Sequence, residues 1–158
     1  MSFFAAARRA LMLSFTALFI LLASIGLGSE AQAEEIEVDI KTIYASRGEK
    51  SMDNKLERLR DELLLAFPQY QRFALLEQAI MKLPLNESRS SVLPDTERSE
   101  LVITYLGRTE DELLQLQVGL KGKIAADVKA SAGSTFFQAG LSYETGILVL
   151  AIEPKLAD

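Results

Sequence analysis

The chain has 158 residues, with 17 basic and 22 acidic side chains and a formal net charge of −5, and it contains neither His nor Cys. Without imidazole and thiolate ligands, the usual protein sites for zinc, copper and iron are excluded, and so are Ser-His-Asp and Cys-His catalysis. A mildly acidic chain is a poor candidate for nucleic-acid binding, because phosphate recognition depends on clustered Lys and Arg. We therefore predict no metal, no other cofactor and no nucleic-acid partner.

Residues 1–33 have the organisation of a secretory signal peptide. Arg8 and Arg9 precede an uncharged run, residues 10–28, and the small-x-small sequence Ala31-Gln32-Ala33 follows it. This pattern predicts export to the periplasm or the medium, with cleavage after Ala33. The alternative is an inner-membrane anchor through uncleaved residues 10–28, because these 19 residues would span about 28 Å as a helix, close to the ~30 Å hydrocarbon core. Membrane association is expected only in that second case.

Residues 34–158 are expected to form a single exported domain. Loss of Arg8, Arg9 and Glu30 leaves 15 basic and 21 acidic residues, a net charge of −6. A domain of this size buries roughly two-thirds of the surface of its unfolded chain, which is enough for a hydrophobic core. Because the chain has no Cys, this core has to hold the exported fold together without a disulfide.

The first part of this domain predicts one strand followed by one helix. Ile36, Val38 and Ile40 alternate with charged residues, which is typical of a half-buried strand. Residues 54–67 have helical periodicity, with Asn54 and Glu57 at capping-box spacing and Pro68 ending the helix. The apolar residues at this spacing share one helix face, which is expected to pack on the core: Leu56, Leu59, Leu63 and Phe67.

Residues 70–85 fit either a helix or a strand. Phe73, Leu76, Ile80 and Leu83 have helical spacing, whereas Pro84 and the extended residues around it favour a strand. We therefore predict a strand here and keep the helix as the alternative.

The rest of the chain alternates with the period of two that is typical of strands. The predicted strands are residues 90–93, 101–106, 114–120, 124–130, 135–139 and 147–152, with turns at residues 121–122 and 140–146. The last strand, ILVLAI, is apolar on both faces, which predicts a central position in the sheet, the alternative being an edge that pairs with another chain. The predicted fold class is α+β: an antiparallel β-sheet of six or seven short strands with one amphipathic helix packed on it.

No segment predicts a catalytic, cofactor-binding or metal-binding residue. Residues 119–123, GLKGK, lack the spacing of a phosphate loop, and residues 108–112, RTEDE, lack the alternating ligands of a calcium loop. Carboxylates can perform acid-base chemistry without His, but Glu77, Glu144 and Glu153 are isolated in the sequence and cannot be paired from it.

The segment from "ELVITYLG" to "STFFQAGLSYETGILVLAIEP" resembles small exported bacterial proteins of unknown function. In these proteins a helix follows the first strand, and a meander ends in a glycine-flanked hairpin with an aliphatic last strand. The resemblance implies a periplasmic or cell-envelope setting and carries no activity and no site residues.

Three functions are compatible with these observations. The first expectation is a non-catalytic accessory or binding protein of the bacterial periplasm or cell envelope, with another envelope protein as its partner. The alternatives are a membrane-tethered subunit of an envelope complex that retains residues 10–28, and a small carboxylate-based hydrolase.

Overall fold

The computed structural model describes residues 34–158, so the predicted signal peptide, residues 1–33, and the alternative anchor, residues 10–28, lie outside the described residues. Within the described part, none of the helical segments has the length and hydropathy that crossing a bilayer requires. The elements follow in this order: β1 Glu35–Ser46, β2 Ser51–Met52, a 3-10 helix Asn54–Leu59, α1 Arg60–Ala66, β3 Arg72–Pro84, β4 Ser88–Val92, β5 Glu100–Arg108, β6 Leu114–Leu120, β7 Ala126–Ala130, β8 Phe136–Tyr143 and β9 Gly146–Leu156.

The strands form two sheets, where the sequence predicted one. Sheet A has the order β2-β3-β1-β9-β8, and sheet B has the order β4-β5-β6-β7. All neighbouring strands are antiparallel except β2 and β3, which are parallel. The described domain is therefore mostly β with one short helix, which corrects the predicted single antiparallel sheet of six or seven strands.

Sheet A needs a cover on each of its faces, because β1 and β9 carry apolar side chains on both faces. One hydrophobic cluster contains Ile36, Val38 and Ile40 of β1 together with buried residues of sheet B, and so it lies between the sheets. A second cluster contains Ile43 and Ala45 of the same strand together with leucines of the helical segment. Sheet B thus covers the inner face of sheet A, and the helical segment covers one end of its outer face.

The predicted apolar face of the helix is confirmed, although the helix itself is shorter than predicted. Leu56, Leu59 and Leu63 are buried against sheet A, and burying each such side chain stabilises the fold by about 1.5–3 kcal/mol. Phe67, at the end of this segment, packs edge-on against Phe137 with ring centroids 5.9 Å apart. Only Arg60–Ala66 is α-helical, because the preceding turn is a 3-10 helix that ends at Leu59.

The predicted capping box at Asn54 is wrong. Asp53 is the N-cap, and its carboxylate accepts a hydrogen bond from Lys55 N at 2.9 Å. Glu57 does not reach back to the cap, because Arg60, one turn ahead, binds both of its oxygens at 2.8 and 2.6 Å. An aspartate in extended conformation caps a helix as well as an asparagine does, so the N-cap lies one residue earlier than predicted, while the helical segment begins at Asn54.

The strand predicted within residues 70–85 is confirmed as β3, with bounds Arg72–Pro84. The segment ILVLAI lies in β9, which is central between β1 and β8 as predicted. The two phenylalanines at the start of β8 are both half-buried and lie on opposite faces of the sheet. Phe136 packs on the cluster between the sheets, and Phe137 packs on the cluster under the helix.

Two predicted hairpin boundaries are wrong. The return strand β7 starts at Ala126, and Ile124 is 99% exposed. A Cβ on Gly119 would lie 2.7 Å from Ala125 Cα, so the loop folds back tightly over β6 and Ile124 is directed outward. The predicted turn at residues 140–146 is also too long, because β8 continues to Tyr143 through a bulge at Gly140.

Candidate functional site

The part of the outer face of sheet A beyond the helical segment carries charged side chains. Side chains of odd-numbered β1 residues lie on this face, and they change from Glu37, Asp39 and Lys41 at one end to Ile43 and Ala45 under the helix. The register adds residues from the neighbouring strands. We call this set the charged rows: Glu37, Asp39 and Lys41 of β1, Gln78 and Lys82 of β3, and Glu153 and Lys155 of β9.

Asp39 and Glu153 are two largely buried carboxylates directly opposite each other on β1 and β9. They are only 7% and 8% exposed. Like charges at opposed positions destabilise a sheet, but cationic and amide donors offset this repulsion here. Asp39 accepts from Lys41 Nζ at 2.8 Å and from Gln78 Nε2 at 2.9 and 3.0 Å, and Glu153 lies 3.3 Å from Lys155 Nζ.

This carboxylate pair has the features of an ion-pair network. A carboxylate hydrolase places its two acids across a cleft, with room between them for the scissile bond or for a water molecule. Asp39 and Glu153 lie side by side on a sheet face, and neither lines either of the two clefts described below. Of the other two acids noted in the sequence, Glu77 opposes Thr42 at the edge of sheet A, and Glu144 lies in the β8–β9 turn. The structure brings neither of them into register with Glu153.

Glu34, Tyr105 and Arg108 form a second polar cluster, which the sequence did not indicate. The buried Tyr105 donates its hydroxyl proton to Glu34 Oε1 at 2.5 Å, and Arg108 Nε donates to the same oxygen at 2.6 Å. Burial, and then the hydrogen bond to Glu34, raise the pKa of Tyr105 from 10.0 to about 12. The hydrogen bonds from Tyr105 and then from Arg108 lower the pKa of Glu34. These contacts tie the start of β1 to sheet B.

The described residues include two shallow clefts of interest. One, of about 280 Å³, lies between the β2 segment and α1 and is lined by Lys50, Ser51, Met52, Arg60, Leu64 and Gln71. The other, of about 210 Å³, lies between the β8 edge of sheet A and the β6–β7 hairpin of sheet B. Its main lining residues are Leu120, Lys123, Gln138, Leu141, Leu148 and Leu150.

The third candidate is an unpaired strand edge. On the side of β3 that faces away from β1, only Arg72 and Phe73 are paired with another described strand. That strand is β2, which has just two residues. Residues 74–84 therefore have one edge without a strand partner in the described part of the chain, and we call this the open edge. Two of its apolar residues are exposed, Leu76 at 38% and Ile80 at 61%.

The hydrogen-bonding groups of the open edge follow from the register. Leu85 N donates to the Glu34 carbonyl at 2.8 Å, which continues the pairing of β1 with β3. Successive residues of an antiparallel strand direct their peptide groups alternately to the two sides. Consequently Gln78, Ile80 and Lys82 direct their N–H and C=O groups away from β1, toward the open side.

Comparison of the chain with protein-family models, with curated proteins and with solved structures found no match. A function can therefore be inferred only from the surfaces and side chains of the described residues.

Proposed function

We propose that this protein is a non-catalytic binding or accessory protein of the bacterial periplasm or cell envelope. It binds another envelope protein by adding one of that partner's extended segments to the open edge. The observation that carries the proposal is the length of β3 that has no strand partner in the described residues. In strand addition, backbone hydrogen bonds provide affinity and alternate side chains provide specificity.

The other sheet edges in the described residues are less suited to this role. β4 and β7 have only five residues each, and β8 is interrupted by the bulge at Gly140. β3 also contains a bulge, at Leu76, but the residues from Glu77 to Leu83 pair with β1 in regular register. This regular stretch has seven residues, against five in β4 and in β7, so it offers an added strand the longer uninterrupted edge.

The side chains beside the open edge define the chemistry of the partner segment. Ile80 is exposed in the middle of the edge, and Lys82 forms no ion pair with another residue of the described part. An added strand would place its own side chains opposite these two. A partner segment with an apolar residue opposite Ile80 and an acidic residue opposite Lys82 fits this edge best.

The envelope setting is supported by the signal-peptide pattern of residues 1–33. The tethered alternative, which retains residues 10–28, would use the same open edge while fixed to the membrane. The mass of the exported protein distinguishes the two forms, since a chain beginning at Glu34 means cleavage and a chain retaining Met1 means an anchor.

The experiment that tests the proposal is a crosslinking pull-down from intact envelopes with Ile80→Pro. Proline at residue 80 removes the outward N–H and replaces the exposed isoleucine side chain by a smaller ring. A strand edge whose N–H faces outward tolerates proline. The matched control is Val92→Pro on β4. Val92 is also an exposed apolar edge residue, and its N–H also points outward, because Leu93 N bonds to the Ser99 carbonyl.

We expect wild type and Val92→Pro to capture the same partner, and Ile80→Pro to lose it while keeping the wild-type circular dichroism spectrum. Ile80→Thr keeps the N–H and removes most of the apolar side chain, so it should weaken capture without abolishing it. Equal capture by Ile80→Pro and Val92→Pro would contradict binding at the open edge.

A further inference from the structure

The 210 Å³ cleft lies at the edge of sheet A opposite to β3 and opens toward the core between the sheets. Leu148 and Leu150 lie at its base and are buried, and Leu120 and Leu141 line it as half-buried residues. Its lining is thus mainly aliphatic, with polar groups restricted to a few positions. Small-molecule sites have this composition.

Two local features of the backbone shape this cleft. The register of β8 with β9 shifts between Ala139 and Leu141, and Gly140 has a φ of +134°. A Cβ on Gly140 would meet no atom within 4 Å, so the bulge borders open space. Across the cleft, the close approach of Gly119 to Ala125 fixes the loop that carries Lys123. Bulges are frequent beside functional sites, where they redirect side chains.

Within residues 34–158, the polar side chains that line the cleft are Lys123 and Gln138, and no acidic side chain lines it. The neighbouring Lys121 is paired with Glu100 at 2.7 Å, whereas Lys123 takes part in none of the ion pairs formed within residues 34–158. The cleft therefore combines an aliphatic interior with a positive charge and an amide, a combination that is complementary to an amphiphile with an anionic head.

We propose that this cleft binds a medium-chain carboxylate, with the aliphatic chain on the leucines and the carboxylate at Lys123 and Gln138. An apolar cavity of about 150 Å³ accommodates benzene, so 210 Å³ has room for a chain of roughly eight carbons. This site does not depend on the function proposed for the open edge, because the two lie on opposite edges of sheet A.

The test is a titration of the purified exported protein with octanoate, followed by calorimetry and by amide chemical shifts. We expect saturable binding of one octanoate, with shifts centred on residues 138–141. Each methylene that is no longer buried weakens binding about fourfold, so butanoate, which is four methylenes shorter, should bind about 250-fold more weakly. Octylammonium, which has the same chain and the opposite charge, should bind much more weakly than octanoate.

Lys123→Gln should weaken octanoate binding about tenfold or more and leave n-octanol binding nearly unchanged, because the substitution removes the positive charge that pairs with a carboxylate and keeps the leucines that bind the chain. Lys129→Gln is the matched control, since Lys129 is an exposed lysine on β7 outside the cleft. The proposal is overturned if octanoate shows no saturable binding up to its solubility limit. It is equally overturned if octylammonium binds as well as octanoate, or if the two lysine variants behave alike.

Discussion

Tyr105 illustrates how one buried polar group fixes the position of a strand. Its ring belongs to the core between the sheets, and its hydroxyl meets Glu34 just before β1 begins. The sequence shows only a tyrosine in an alternating strand. Its role depends on a contact with a residue 71 positions away, which no local pattern encodes.

We expect Tyr105→Phe to lower the free energy of unfolding at pH 7 by about 1.5–3 kcal/mol, the range for a lost hydrogen bond to a charged group. Tyr143→Phe is the control, since Tyr143 stacks edge-on against Tyr44 at the surface end of β8. Urea midpoints of both variants measure the difference. A change in Tyr105→Phe no larger than that in the control would mean that this contact does not stabilise the fold.

The same contact predicts the pH dependence of stability. The pKa of Tyr105 is raised from 10.0 to about 12. The stability that the protonated hydroxyl adds to the folded state is therefore fully present below pH 10 and is lost as the pH rises toward 12. The pKa of Glu34 is lowered, so its contribution is present above its unfolded value of 4.5 and is lost as the pH falls through the folded value. Wild type should therefore lose stability between pH 10 and 12 more steeply than Tyr105→Phe does.

Leu63 and Leu65 provide a matched pair on α1. Leu63 is buried where α1 packs on sheet A, whereas Leu65 is 84% exposed. Leu63→Ala should destabilise the protein by about 2–5 kcal/mol, as large-to-small core substitutions do, and Leu65→Ala should change stability by less than about 0.5 kcal/mol. Denaturant midpoints that fall equally in both variants would contradict the assignment of the apolar face to the core.

At the scale of elements, the turn into β9 depends on a glycine for space. A Cβ on Gly146 would overlap the backbone oxygen of Ala45. Ala45 cannot easily move aside, because it belongs to β1, the central strand of sheet A. Gly146→Ala should therefore prevent folding or displace the start of β9. Gly140→Ala has open space and faces only the strain of its positive φ, which costs about 1–3 kcal/mol. Thermal melts of the two variants test this order, and a more stable Gly146→Ala would contradict it.

Several elements could be predicted from local pattern. β6 alternates cleanly over Leu114–Leu120, and the structure gives the same bounds. The leucine face of the helical segment and the central position of β9 also follow from periodicity and apolar content. The boundaries of β7 and β8 could not be predicted, because a bulge at Gly140 and a tight loop at Gly119 change the alternation without a strong sequence signal.

The second sheet could not be predicted because alternation shows that one face of a strand is buried without showing what covers it. One signal was nevertheless present in β1. Its apolar residues are even-numbered up to Ile40 and odd-numbered from Ile43 onward, with Thr42 between the two sets. A strand whose apolar face changes in this way needs a cover on each side, and here the two covers are sheet B and the helical segment.

For the whole molecule, the candidate sites are consequences of topology. The sequence of β3 fits a strand or a helix and does not indicate an open edge. The edge is open because, among the described strands, β2 pairs with only two residues of β3. Asp39 and Glu153 face each other because β1 and β9 are neighbours in register. Neither fact follows from the composition of the strands involved. The fold elements could therefore be predicted from the sequence more readily than the surfaces on which the function is proposed.

Docking of a partner segment at the open edge of β3 can be tested by site-specific photo-crosslinking in intact cells. A photoreactive amino acid replaces Ile80 in one variant and Leu65 in the other, since both residues are exposed apolar side chains, the former on β3 and the latter on α1. We expect a discrete adduct with an envelope protein from position 80 and no such adduct from position 65. An absence of any adduct at position 80, or the same adducts from both positions, would contradict docking at the open edge.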